Sequence, residues 1–125
     1  MTQSAKEIVR EFIQFTNDHK NVAGAVSLMD ENIKFVGPAM RCDNREEYET
    51  LLQNFLPRHT GWKHHQTLEQ GSEICLIEDI YLKSPNGEEI TLELAEWFKV
   101  ENGKIVYHKV FYDPTEFLKT FNSQS

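Results

Sequence analysis

A carboxylate interrupts the most strand-like segment of the chain. From Ile90 to Val100 every second residue is apolar except Glu96. Because alternate side chains of a strand share one face, Glu96 should point into whatever its neighbours bury. A buried carboxylate is costly unless it is paired or neutralised. Glu96 is therefore either a structural hydrogen-bond partner or a candidate for acid–base chemistry.

The hairpin before this strand predicts which residues lie beside Glu96. Residues 84–87 read Ser-Pro-Asn-Gly, a turn sequence. A three-residue loop at 85–87 places Leu76 opposite Glu96 and Leu82 opposite Ile90. Both strands then show one apolar face that carries two carboxylates, Glu96 and Glu78.

The hairpin after this strand, closed by an Asn-Gly pair, allows two registers. A two-residue turn places Glu96 opposite Lys109 and would bury that lysine. A three-residue loop places Glu96 opposite His108 and aligns Val110 and Tyr112 with the inward row. We favour the second register, because it keeps the inward face apolar except for the Glu96–His108 pair.

A glutamate and a histidine in an apolar enclosure can exchange a proton, since imidazole titrates near neutrality and a carboxylate can orient it. The sequence predicts Glu96, His108 and Tyr112 as catalytic residues, with Tyr112 as a hydrogen-bond donor. The alternative is an internal hydrogen bond that only fixes the register.

Further polar and apolar residues should line the same cavity. At the sheet edge these are His64 and Gln66, or else His65 and Thr67, and the sequence leaves both pairs open. Glu78 shares the inward face but lies nearer the hairpin end, where solvent should reach it. Asp113 ends the last strand, but before Pro114 its role as a helix cap is favoured. The predicted ligand-binding residues are His64, Gln66, Glu78, Phe98, Val110 and Asp113.

The elements around these residues predict an α+β fold. Ser4 with Glu7, Asn21, and Asn44 with Glu47 are typical of the starts of three helices. A short strand at 33–36 precedes the third helix, and strands at 62–70, 73–83, 88–100 and 104–113 follow it. Helices on one face of a curved antiparallel sheet of four or five strands can enclose a pocket.

Composition narrows the classes of function. The 125 residues fit one domain, 1–125, and the net charge of −7 argues against a nucleic-acid partner. No apolar run approaches the ~20 residues of a membrane span. Cys42 and Cys75 suggest neither a disulfide framework nor a metal site, so we expect a cytoplasmic protein. No nucleotide loop or zinc motif predicts a cofactor or a metal.

The outer face of the predicted sheet carries an aromatic patch. Trp97, Tyr107 and Phe111 lie on it beside Ala95 and Ile105. Aromatic residues that share a surface on a small domain indicate an interface. We expect a homodimer formed through this face.

The predicted elements run in the order helix, helix, short strand, helix and antiparallel meander. Three segments, 29–38, 96–105 and 112–114, carry a resemblance to a known family. This order resembles the nuclear transport factor 2-like superfamily, in particular its SnoaL-like and ketosteroid isomerase-like branch. The likeness covers nearly the whole chain. It implies a cone-shaped sheet wrapped around three N-terminal helices, and dimers that pair sheet against sheet.

The resemblance transfers the isomerase site only in part. The position of its general base, an aspartate before a proline, is similar to Gly37 here, and its phenolic donor falls at Phe12. The acid of the isomerase's oxyanion hole falls at Glu96, which is also a carboxylic acid. Steroid isomerisation by that mechanism is not expected.

Three functions are consistent with these residues. The first is a cofactor-independent acid–base enzyme of isomerase, cyclase, dehydratase or hydrolase type, acting on a small, partly apolar substrate. The second is a protein that binds a small-molecule ligand in the same pocket without catalysis. The third is a dimeric interaction module that uses the outer face.

Overall fold

The computed structural model describes residues 3–122. In this part of the chain the α-helices are α1 (Ala5–Ile13), α2 (Val22–Ser27), α3 (Arg45–Phe55) and α4 (Thr115–Asn122). A π-helical turn, Gln14–Asp18, extends α1, and a 3-10 turn, Leu56–Arg58, follows α3. The strands are β1 (Met29–Val36), β2 (Arg41–Cys42), β3 (His59–Gln70), β4 (Glu73–Lys83), β5 (Glu89–Glu101) and β6 (Lys104–Phe111).

The first three helices begin where side-chain caps predict. Ser4 and Glu7 form a reciprocal capping box on α1. Asn21 Oδ1 accepts from the Gly24 N–H at 2.9 Å, and Asn44 Oδ1 accepts from the Glu47 N–H at 2.8 Å. These contacts satisfy backbone donors that a helix cannot pair internally.

The strands form one curved, unclosed sheet in the order β2-β1-β6-β5-β4-β3. Its pairs are antiparallel except β1 with β6, which run parallel. The α+β class is confirmed, but the expected four or five strands become six, because β2 adds an edge strand. The first strand is also longer than expected and starts at Met29.

The β4–β5 hairpin has the predicted register. Leu82 pairs with Ile90 and Leu76 pairs with Glu96. The Ser84 N–H donates to the Glu88 carbonyl at 2.8 Å and closes the three-residue loop. The buried and exposed residues of β5 alternate, so Glu96 does share the inward face.

The β5–β6 hairpin follows neither predicted register. Asn102 and Gly103 both have positive φ, at 52° and 77°, and form a two-residue turn that pairs Glu101 with Lys104. A bulge at Val106 then shifts the ladder by one residue. Glu96 faces Val110 directly, neither His108 nor Lys109.

The bulge explains why side chains near both ends of β6 point into the core. Inward residues of a regular strand are two apart, yet Ile105 and His108 are both buried. The extra residue at Val106 changes the parity between them. The placement of Ile105 on the outer face was therefore wrong, whereas the inward orientation of His108 was correct.

The core lies between the concave face of the sheet and the helices α1 and α3. Phe12, Tyr48 and Leu52 of these helices are buried against Leu94, Phe98 and other inward residues of the sheet. No helix in the described range is both long and apolar enough to cross a bilayer. The packing leaves an opening beside α3 and another beside α1.

Candidate functional site

An inner pocket lies between α3 and the concave face of the sheet. Its volume is about 100 Å³ and its walls are mostly apolar. That volume is below the ~150 Å³ of an engineered cavity that takes up benzene, so the pocket suits a small or slender molecule. The polar side chains among its lining residues are Thr16, Asn17, Tyr48, His59, Glu96, His108 and Tyr112.

Three of these polar side chains form a buried hydrogen-bonded chain. His108 Nε2 lies 2.9 Å from Glu96 Oε1, and His108 Nδ1 lies 2.6 Å from the Tyr48 hydroxyl. Glu96 comes from β5, His108 from β6 and Tyr48 from the first half of α3. His108 joins the other two although it is paired across the ladder with Phe98, because diagonal neighbours on one face are within reach of long side chains.

Aromatic rings fix the orientation of His108. Phe98 stacks on the imidazole with a centroid distance of 4.0 Å and an interplanar angle of 14°. Phe12 and Phe35 contact it edge-on at 5.8 Å and 5.3 Å. Phe98, predicted as a ligand contact, instead lies under the imidazole and supports it.

Burial dominates the protonation of this chain. It lowers the pKa of His108 to about 3, and it raises the pKa of Glu96. It also raises the pKa of the Tyr48 hydroxyl well above its ordinary value. Imidazole and phenol are therefore neutral at neutral pH, and the charge state of the chain depends on Glu96.

Two proton arrangements fit the two hydrogen bonds. With Glu96 ionised, His108 Nε2–H donates to the carboxylate and Nδ1 accepts from the Tyr48 hydroxyl. With Glu96 protonated, its O–H donates to Nε2, Nδ1–H donates to the Tyr48 oxygen, and the phenolic hydrogen is free to point at a ligand. The arrangements differ by one proton, so the chain can act as an acid or a base.

Tyr48 was missed by the sequence predictions. It recurs at helical spacing with Leu51, Leu52 and Phe55 in the third helix, a stripe that is typical of residues packed on a core. The available signal was its hydroxyl, which the other stripe residues, Leu51, Leu52 and Phe55, lack. A buried tyrosine hydroxyl usually finds a partner, and that rule could have identified the residue.

His59 is a second polar residue that the sequence predictions missed. It begins β3, lines the inner pocket and is only 1% exposed. Neither ring nitrogen has a hydrogen-bond partner among residues 3–122. Burial, with a smaller contribution from Lys20, lowers the pKa of His59 to about 4, so the ring is neutral.

A side cleft lies beside α1 and is distinct from the inner pocket. Lys6, Arg10, Trp62, His64, Thr67 and Glu78 are among its lining residues. Glu78 and His64 therefore do not line the same pocket as Glu96. Glu78 was expected near solvent but is only 1% exposed, since the sheet curves around it beneath α1.

A second bulge explains the lining of the side cleft. The β3–β4 ladder shifts at His65, so His64 and Thr67 share the inward face. Each predicted pair combined one inward residue with one that does not line a cavity. Gln66 is exposed, and His65 pairs with Asp79 at 3.0 Å.

The remaining predicted residues lie at the end of the last strand. Val110 and the half-buried Tyr112 line the inner pocket, as expected. Asp113 is exposed outside it, and its Oδ1 accepts from the Thr115 N–H at 3.0 Å. This contact is that of a helix cap. Among the described residues, no three His, Cys, Asp or Glu side chains are grouped to hold a metal ion.

Comparisons with known proteins agree with this fold. Residues 9–108 match the sequence model of the SnoaL-like domain. An NTF2-like protein of unknown function from Cytophaga hutchinsonii is 27% identical, with a TM-score of 0.79 over 94% of this chain and 97% of its own. No curated protein sequence matches.

Two more distant structures share the fold and were crystallised with small organic molecules. TerC, co-crystallised with polyporic acid, is 16% identical, with a TM-score of 0.77 over 93% of this chain and 96% of its own. A Catenulispora acidiphila protein with a ketosteroid isomerase-like fold, in complex with trimethylamine, is 13% identical, with a TM-score of 0.73 over 98% and 95%.

Replacing Tyr48 by Phe should destabilise the protein by roughly 1–3 kcal/mol, because His108 Nδ1 loses its buried partner. Urea denaturation measures this difference. The control is Tyr112→Phe, which removes a hydroxyl from a half-buried ring and should cost clearly less. Equal costs for both changes would contradict a buried Tyr48–His108 hydrogen bond.

Glu78→Gln should become more stable relative to the natural protein as pH rises from about 4.5 to 9. Burial and the neighbouring Glu96 raise the pKa of Glu78 from 4.5 to about 9. In that range the unfolded natural chain releases the Glu78 proton and the folded chain keeps it, so the free energy of unfolding of the natural protein falls with rising pH. Glu78→Gln lacks this loss. Denaturation at several pH values tests this, and the exposed Glu93→Gln is the control. Parallel curves for Glu78→Gln and the natural protein would exclude the shift.

Proposed function

This chain belongs to the SnoaL-like domain family, and we propose that its inner pocket binds a small, partly apolar molecule and transfers protons to and from it without a cofactor. The reaction would be of isomerase, cyclase, dehydratase or hydrolase type. The observation that carries the proposal is the Tyr48–His108–Glu96 chain, which reaches an apolar pocket. Such a pocket strengthens electrostatic interactions and excludes water from the reacting atoms.

The hydrogen bonds define a proton-transfer step. A substrate oxygen that gains negative charge takes the Tyr48 hydroxyl proton. Tyr48 takes the proton on His108 Nδ1, and His108 Nε2 takes the proton of Glu96. One proton leaves the chain at Tyr48, and the negative charge ends on the Glu96 carboxylate. The reverse sequence removes a proton from the substrate.

The pocket also favours a neutral or weakly polar ligand. No lysine or arginine is among its lining residues in the described part of the chain. Its apolar walls would leave a permanent charge without a partner. The organic molecules crystallised with TerC and with the Catenulispora protein are consistent with a small-molecule site, although those proteins share only the fold with this chain.

Glu96→Gln should preserve the fold but abolish proton transfer, since an amide cannot release or take up the proton that the chain passes on. Exchange of the α-hydrogens of acetone in D₂O, followed by NMR, offers a probe that is smaller than benzene. The natural protein should accelerate the exchange above buffer, and Glu96→Gln should return it to the buffer rate.

The matched control is Glu93→Gln, three residues earlier on β5 and exposed on the other face. It should exchange the probe at the rate of the natural protein. If Glu96→Gln also keeps that rate, Glu96 has a structural role only. If the natural protein itself exchanges the probe at the buffer rate, the pocket does not catalyse this proton transfer.

A second proposal concerns the outer face of the sheet, where we infer a homodimer interface. The large hydrophobic side chains that are most exposed in residues 3–122 are Leu68, Ile77 and Phe111, and all three lie on this face. Two cross-strand rows arrange them, Leu68–Cys75–Trp97 and Ile77–Ala95–Phe111. An apolar surface that spans four strands is typical of a protein contact.

Lysine side chains lie over the aromatic rings at one edge of this surface. Lys99 Nζ lies 4.6 Å from the Trp97 ring centroid and 5.2 Å from that of Tyr107, and Lys109 Nζ lies 5.0 Å from that of Phe111. Such contacts hold the aromatic side chains in place while their outer faces stay available. The aromatic residues therefore supply anchors at the edge of the apolar rows.

The double variant Trp97→Ala with Phe111→Ala should be monomeric, because losing aromatic anchors commonly costs more than about 2 kcal/mol of association free energy. Sedimentation at micromolar concentration measures the change. The inner pocket lies on the opposite face, so binding of a pocket ligand should persist. A natural protein that sediments as a monomer, or a dimer that survives both changes, would exclude this interface.

A further inference from the structure

We propose that Glu78 resupplies protons to Glu96 from solvent through His64, so that the acid–base chain is recharged from the side cleft and not through the ligand pocket. The proposal deepens the proposed function, on which its biological purpose rests. Its physical content, a proton route through the wall of the fold, can be tested without any substrate.

The placement of Glu78 is the first argument. Its carboxyl is buried in the wall that separates the two cavities, with Glu96 lining the inner pocket and Glu78 lining the side cleft. His64 lies on the cleft side, where 42% of its side chain is exposed. The three groups therefore form a sequence from solvent to the inner pocket.

The spacing of these groups is the second argument. His64 Nδ1 lies 3.7 Å from Glu78 Oε2, just beyond a hydrogen bond. Glu78 pairs with Leu94, whereas Glu96 pairs with Leu76, so the two glutamates are diagonal neighbours on the inward face. Diagonal positions are about 7–8 Å apart at the backbone, a distance that two glutamate side chains can bridge.

The lack of a fixed donor is the third argument. Neither carboxyl oxygen of Glu78 accepts a hydrogen bond from a donor in residues 3–122. A structural buried carboxyl is normally held by donors. The Glu78 carboxyl instead reaches the Glu96 carboxyl, with which it shares a hydrogen bond when one of the two is protonated, and it lies close to His64 on its other side.

The charges around Glu78 keep it in the form that can donate. The facing titratable groups are Glu96 from β5 and His64 from β3, with Lys6 and Arg10 of α1 and Asp18 of the π-helical turn around the cleft. Burial and Glu96 raise the pKa of Glu78 to about 9, and His64 opposes this shift only in part. Glu78 is therefore a neutral acid at neutral pH. Its neighbour Glu96 is left as a carboxylate each time the chain delivers a proton to a substrate.

The transfer balances in protons and charge. The Glu78 O–H bond breaks as an O–H bond forms on the Glu96 carboxylate. Glu78 then takes the Nδ1 proton of the His64 imidazolium, and the neutral His64 takes a new proton from water. Glu78 begins and ends as a neutral acid, and one proton has moved from solvent to Glu96.

Solvent exchange of the His108 Nε2–H tests the route in the ligand-free protein. A single hydrogen moves between His108 Nε2 and Glu96 Oε1 in their hydrogen bond. Its exchange with water therefore reports how fast Glu96 is resupplied. NMR with ¹⁵N-labelled histidine measures the rate. Glu78→Gln and His64→Gln should each slow it by roughly tenfold or more, since each removes one transfer step.

The matched control is His65→Gln, which removes the neighbouring imidazole and its contact with Asp79 on the other face. It should leave the exchange rate unchanged. Natural exchange in Glu78→Gln or in His64→Gln overturns the route, as does equal slowing by His65→Gln.

A second measurement covers the case in which Glu78→Gln does not fold. In the natural protein, the infrared carbonyl band of a protonated buried carboxyl should shift in D₂O at the rate at which His108 Nε2–H exchanges. A band that shifts much more slowly than His108 overturns the route. Because neither readout involves turnover, an inactive pocket with rapid Glu78-dependent exchange would refute the catalytic function and leave the proton route intact.

Discussion

The hydrogen bond between Glu96 and His108 determines how the inner pocket is built. A carboxyl and an imidazole are both costly to bury, and each supplies the partner that the other lacks. Because Tyr48 occupies the second ring nitrogen, the imidazole is satisfied on both sides. The aromatic rings of Phe12, Phe35 and Phe98 can therefore surround the His108 imidazole, because neither of its nitrogens needs water as a hydrogen-bond partner.

Bulges in β6 and β3 bring polar side chains to the inward face. A regular β6 could place either Ile105 or His108 inward but not both, and a regular β3 could not place both His64 and Thr67 inward. Extra residues at Val106 and His65 change the parity at these points, and β3 has a further shift between His59 and Gly61. The sheet thereby keeps an apolar face and still delivers polar residues to both the inner pocket and the side cleft.

Sequence patterns predicted the elements well because their signals are local. The caps at Ser4 and Asn44 and the loop at 85–87 each specify a backbone geometry within a few residues. The alternation around Glu96 identified the buried carboxylate for the same reason. Asn-Gly is typical of the two-residue turn that forms, although the three-residue loop was favoured, and the bulge at Val106 beyond the turn has no comparable signal. Tyr48 lies far from His108 in sequence, and only the packing of α3 on the sheet brings them together.

Four buried polar groups differ in how well the fold satisfies them. Glu96 and His108 are satisfied by each other, whereas His59 has no hydrogen-bond partner in the described residues and Glu78 accepts from no donor there. An unsatisfied buried group typically costs about 1–3 kcal/mol, a large share of the stability of a small domain. An apolar residue at His59 would remove this cost, because the pocket wall around it is mostly apolar. Positions where a chain forgoes such stability are expected at functional sites. His59 lines the inner pocket and Glu78 lies in its wall, so both positions are consistent with the function proposed for the concave side of the sheet beneath α1 and α3.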